Sequence, residues 1–153
     1  MKYIRKNHSI GKKGESETWP FLEKNGYIRP SSAQRKKIKE FFEKQGKQIE
    51  ESGFDVISQN EVCLIGKKTI TLYEVKTTGK KRGEFIGDNF KGLGFTLSEK
   101  EKNNAEILKN KYKFIFVNLH KEKFKVYKFN DFFNTRISNI YKTWSIFITK
   151  DLK

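Results

Sequence analysis

The run Phe114-Ile115-Phe116-Val117-Asn118-Leu119 puts large apolar side chains on both sides of any strand it forms. Such a strand needs a sheet covered on both faces, which points to an α/β architecture with this segment at the sheet centre. Upstream, Ser98-Glu99-Lys100-Glu101 reads as a capping box in which Ser98 caps the backbone and Glu101 reaches back. It opens a helix with Ala105, Leu108 and Tyr112 on one stripe, the crossover that returns the chain beside an earlier strand.

That earlier strand is the run 69–76, containing Ile70-Thr71-Leu72-Tyr73-Glu74-Val75-Lys76. Runs 54–58 and 61–65 precede it, joined through Gln59-Asn60 and Gly66-Lys67-Lys68, and the three are expected to form an antiparallel meander. Cys63 then takes a half-buried strand position; as the single cysteine it has no disulfide partner and no zinc-ligand companions. Thr18 is placed as the cap of a short helix, with Trp19 and Pro20 in its first turn and Gly26 as its stop. A longer helix is predicted from Pro30-Ser31-Ser32 to about Ser52, with Gly53 as terminator and Ile38, Phe41, Phe42 and Ile49 at helical spacing. A hairpin strand at 123–129, a short helix near 131–139 and a final strand at 144–148 complete one domain, 1–153. Its expected core is a central mixed sheet of four to five strands flanked by helices, and residues 1–13 form a flexible basic arm.

The charge narrows the partner. Basic residues exceed acidic ones by 15, which suits a large repetitive polyanion, and nucleic acid is the leading class. The excess is uneven: residues 113–153 hold nine basic against three acidic groups, whereas 53–76 balance at three of each. No stretch approaches the roughly 20 apolar residues of a membrane helix, and the segment from Met1 to Asn7 has no apolar signal region. No membrane association is expected, and the location is intracellular, in the cytoplasm or wherever the DNA is.

In the balanced segment, Asp55 sits between Phe54 and Val56, while Glu74 and Lys76 share one face of a strand and Val75 takes the other. With 14 Glu and 28 Lys, Glu-x-Lys should arise by chance roughly two to three times, so its β-rich setting, not its occurrence, carries the information. Two carboxylates and an amine on one sheet edge, given a metal, form a site for phosphodiester cleavage. The plainer reading is a strand with a salt-bridged edge. Thr77–Gly92 follows directly, a glycine-rich loop with Lys80, Lys81, Arg82 and Lys91 suited to phosphate or to a guanine edge. Lys12 and Lys13 in the arm, and Arg35 and Lys36 on the long helix, are further candidate DNA contacts. His8 and His120 lie in no catalytic motif, and His120 is placed at a surface tip.

Taken together, Ile10-Gly11-Lys12-Lys13-Gly14-Glu15, Gly53-Phe54-Asp55-Val56-Ile57-Ser58, Tyr73-Glu74-Val75-Lys76-Thr77-Thr78, and Phe95-Thr96-Leu97-Ser98 with Glu101, Ala105 and Tyr112–Val117 resemble the PD-(D/E)XK nuclease superfamily. The closest match is its NO VEIN carboxy-terminal-like branch, across about residues 10–119. The resemblance implies a restriction-endonuclease-like core in which Asp55, Glu74 and the Val75 carbonyl hold Mg2+, with Mn2+ able to substitute. It makes Lys76 the group that orients the attacking water and steadies the phosphorane, with Glu15 assisting. Phe54 replaces the usual proline, and Pro20 stands in the helix that should carry Glu15. The implied activity is cleavage of double-stranded DNA, of restriction type and by a homodimer. A junction-resolving or homing nuclease with the same core, or a basic binding module without chemistry, are the alternatives.

Overall fold

The computed structural model describes residues 16–132, 136–140 and 143–152, with only the backbone described at Lys80, at 136–140 and at Thr143. The arm with His8, Lys12 and Lys13, and also Glu15, lie outside the described residues. In chain order the elements are α1 (described over 16–24), β1 (Tyr27–Ile28), α2 (Ser32–Lys44), β2 (Val56–Ser58), β3 (Leu72–Thr78) and the single turn α3 (Lys80–Gly83). They continue with β4 (Gly94–Ser98), α4 (Glu99–Leu108), β5 (Tyr112–Asn118), β6 (Lys123–Lys128), β7 (Arg136–Ile140) and β8 (Thr143–Phe147).

A mixed five-stranded sheet runs in the order β1-β2-β3-β5-β6. Its centre is the parallel pair β3 and β5, in register from Leu72 opposite Tyr112 to Thr78 opposite Asn118. The two-sided apolar run therefore occupies the position its composition demands. Its side chains divide between two cores: Phe114 and Phe116 face α2, α4 and the segment around Phe90, while Ile115 and Val117 join Leu22 of α1, Val56 and Tyr73 on the reverse face. β6 flanks β5 antiparallel, as the expected hairpin does, whereas β2 pairs antiparallel directly with β3 and not with a strand at 61–65 as the expected meander has it.

Several elements differ from the sequence-based expectation. Residues 61–65 form no strand; Gln59–Leu64 is a 3₁₀ helix, so that Val62, Leu64 and Ile65 pack on the core and Cys63 is exposed. Helix α2 ends at Lys44, because Gly46 adopts φ 77° and the Lys47 N–H closes on the Phe42 carbonyl at 2.9 Å, a left-handed cap. Ile49 reaches the core from the loop beyond. Thr18 lies inside α1, which continues through Pro20, and donates its hydroxyl to Thr77 Oγ1 at 3.1 Å. Helix α4 stops at Leu108, and Tyr112 begins β5. In place of a helix at 131–139, Phe129–Phe132 is a 3₁₀ turn and β7 follows. Strand β8 belongs to a second, three-stranded antiparallel sheet, β4-β8-β7. Among the described residues no helix is long and apolar enough to cross a membrane.

Candidate functional site

Asp55 stands one residue before β2 and is held from several directions. Its N–H donates to the Tyr73 carbonyl at 2.8 Å, and its carbonyl accepts from Arg35 Nη2 at 2.9 Å. Arg35 Nη1 also donates to the carbonyls of Phe54 (2.6 Å) and Glu51 (3.3 Å), and the guanidinium lies over the Phe54 ring. Asn104, fully buried on α4, accepts from the Glu50 N–H at 2.8 Å and donates to the carbonyls of Glu50 (2.9 Å) and Gly53 (3.1 Å). The Tyr112 hydroxyl donates to the same Gly53 carbonyl. A Cβ at Gly53 would overlap the Asn104 amide, so this position requires glycine for close approach.

So positioned, Asp55 accepts the Val75 N–H on Oδ2 at 2.8 Å. In a strand one residue's N–H and C=O leave by the same edge, so the Val75 carbonyl opens toward Asp55 as well. Glu74 and Lys76 project from one face of β3. Lys76 Nζ donates to Glu74 Oε1 at 3.2 Å and to Glu101 Oε2 at 3.0 Å. That Glu101 oxygen also accepts the Ser98 N–H at 2.8 Å, so the capping box expected at α4 is present and its carboxylate serves the cap and the site lysine together.

The electrostatics follow from three carboxyls facing one ammonium at the margin of the main core. Burial raises the Asp55 pKa, although the Val75 N–H and Lys76 pull the other way. Burial, with the fields of Asp55 and Glu101 added, lifts Glu74 well above the ordinary glutamate range against the opposing pull of Lys76. Glu101 resists its own burial: Lys76, a hydrogen bond from Glu74 and the Ser98 N–H carry it below the usual value. Burial alone would lower Lys76, but Glu74 and Glu101 outweigh it and the net shift is upward. Lys76 is therefore a fixed cation at neutral pH. Glu74, the most buried of the three carboxyls, is the one whose burial favours the proton most.

Sequence reasoning placed Asp55, Glu74, Val75 and Lys76, and the structure brings them together. It did not find Glu101 as a partner of Lys76, nor Asn104 as the clamp on the Asp55 segment. Arg35, expected on DNA, instead directs its donors to the carbonyls around Asp55. Lys36, Lys81, Arg82 and Lys91 are exposed, as is His120 beyond the end of β5. Among the described residues no cluster of three or more His, Cys, Asp and Glu forms a metal cage. Asp55, Glu74 and the Val75 carbonyl offer two carboxyls and a main-chain carbonyl, oxygen donors of the kind that could hold Mg2+, an ion that keeps several waters of its own. No protein-family model, curated protein or solved structure gives a significant match to the chain.

Proposed function

We propose that this chain is a metal-dependent endonuclease of the PD-(D/E)XK type that hydrolyses phosphodiester bonds in double-stranded DNA. The observation that supports this most is the convergence of Asp55, Glu74 and Lys76 in a half-buried cluster with unbalanced negative charge, on a chain of net charge +15. Excess buried negative charge is costly, and either protons or a cation must relieve it. Asp55, Glu74 and the Val75 carbonyl would hold Mg2+, or Mn2+ in its place. When bound, such an ion supplies Lewis acidity and lowers the pKa of an attacking water.

The chain's own residues do the remainder. Water attacks phosphorus, the bond to the 3′ oxygen breaks, and 5′-phosphate and 3′-hydroxyl ends result. Lys76, kept cationic by Glu74 and Glu101, steadies the charge gathering on the phosphoryl oxygens and does not act as a base. Arg35 and Asn104 keep the Asp55 carboxylate from turning away. One such site cuts one strand, so cutting both strands at a symmetric restriction sequence calls for a two-fold dimer.

Incubating the protein with plasmid and Mg2+, Mn2+ or Ca2+ tests the proposal, with Asp55→Asn and Lys76→Ala as controls. Mg2+ and Mn2+ should give nicked and linear DNA, and each variant should lose about 10²–10³ in rate while keeping most of its DNA binding. Titration calorimetry of Mn2+ alone should show binding that Asp55→Asn abolishes. DNA binding without cutting under any cation would leave the basic binding module as the correct description.

A further inference from the structure

Phe85 is 83 % exposed on a segment that is otherwise tied down. Its N–H donates to the Arg82 carbonyl at 3.0 Å, and the Gly83 carbonyl accepts from the Asn118 amide at 2.9 Å. On the other side, Ile86 and Phe90 are 7 % and 1 % exposed within the core, and Lys121 Nζ donates to the Ile86 carbonyl at 2.7 Å. The ring's exposure is thus imposed by a fixed backbone, and the chain forgoes the burial that usually drives an aromatic inward. Lys81 and Arg82 are exposed in the turn just before it, with Glu84 the intervening acid, and Lys91 is exposed further along the segment. This turn follows the end of β3 at Thr78, two residues past Lys76.

We infer that Phe85 stacks on an unstacked base of the DNA bound at the proposed site, while Lys81 and Arg82 hold the flanking phosphates. This rests on DNA being the substrate, as argued above. An exposed ring beside cations fits the chemistry of a nucleotide strand: apolar wedges enter base steps that have opened, and aromatic faces accept any base, while the charges grip the backbone. A protein partner would meet a lone ring surrounded by charge, a poor match for an apolar interface core.

The test uses oligonucleotides carrying 2-aminopurine, bound in Ca2+, with wild type, Phe85→Ala and Phe85→Trp. Wild type should change the 2-aminopurine fluorescence at one or two positions, and Phe85→Ala should abolish that change and weaken binding about 5- to 100-fold. Phe85→Trp should restore both, with its own emission quenched on binding. Because the ring is exposed, Phe85→Ala should melt within about 2 °C of wild type, as surface substitutions do. Equal binding by wild type and Phe85→Ala overturns the inference, as does loss of self-association with DNA binding intact. The nuclease reading fails separately: a wild type that never cuts, yet loses affinity on Phe85→Ala, leaves the stacking role standing.

Discussion

Lys76 donates to two carboxylates, and substitutions at each separate chemistry from folding. Glu101→Gln keeps an oxygen for the Ser98 N–H but removes the charge that faces Lys76. Its thermal midpoint should stay close to wild type while cleavage drops about 10- to 100-fold, as expected for a group that orients a catalytic one. Glu101→Ala should also lose helix stability, by about 1 kcal/mol, through the broken capping box, and thermal melts beside cleavage rates distinguish the two. Glu74→Gln acts in the opposite sense. The folded protein binds the Glu74 proton more tightly than the unfolded chain does, so its contribution is fully present below the ordinary glutamate value and is lost as pH rises through the elevated one. Without divalent cation, the variant should therefore out-melt wild type at pH 8, by roughly 2–4 °C for each kcal/mol relieved. The gap should close toward pH 4, and it should shrink when Mn2+ is added to wild type. A gap that ignored pH would show that Glu74 carries no unfavourable charge.

The segment 50–55 is the element on which the geometry of Asp55 depends, and Asn104 is its principal clamp. Asn104→Ala leaves the Glu50 N–H and carbonyl without their side-chain partner and the Gly53 carbonyl with Tyr112 alone, with a cost of about 2–3 kcal/mol and a visible shift of the urea midpoint. Weaker Mn2+ binding should accompany it, since Asp55 is released. None of this was legible in the sequence, where Gly53 reads as the helix terminator and the predicted helix runs on through Gly46. Gly46 takes the positive φ that ends α2, whereas Gly53 is needed for close approach to α4, an approach made across 51 residues. What sequence did reveal was local: β5 by its two-sided apolar pattern, β3 by its β-formers around Glu74 and Lys76, and the α4 cap by its Ser-x-x-Glu spacing. The run 61–65 failed because apolar residues at short spacing fit a 3₁₀ turn as well as a strand. Strand β8 was legible as a strand, but its partners β4 and β7 were not, because pairing is a non-local choice. Glu101 was legible only as a cap, although an ionised carboxylate has acceptor sites to spare for a second donor.

At the scale of the whole molecule, a chain of net charge +15 contains a local cluster of three carboxyls on one lysine, and the proposed reading assigns capture to the first and chemistry to the second. On that reading, the net charge of +15 would draw in a polyanion, whereas the carboxyls near Lys76 would repel phosphate until a cation intervened. Affinity for DNA should therefore be strongly salt-dependent, but only modestly dependent on divalent cation. With six to ten phosphates neutralised, binding in Ca2+ should fall by about 10³–10⁵ between 50 and 200 mM salt. Replacing Lys81 and Arg82 together by Ala should flatten the slope of log affinity against log salt by about 2, close to 0.9 for each phosphate that no longer meets a cation. Lys36→Ala, on the exposed side of α2, should flatten it by about 1 if that helix lies along the backbone, and by nothing if that face is merely solvated. Fluorescence anisotropy over that salt range measures all three slopes, and an unchanged slope in the double variant would move the DNA away from the turn that follows β3.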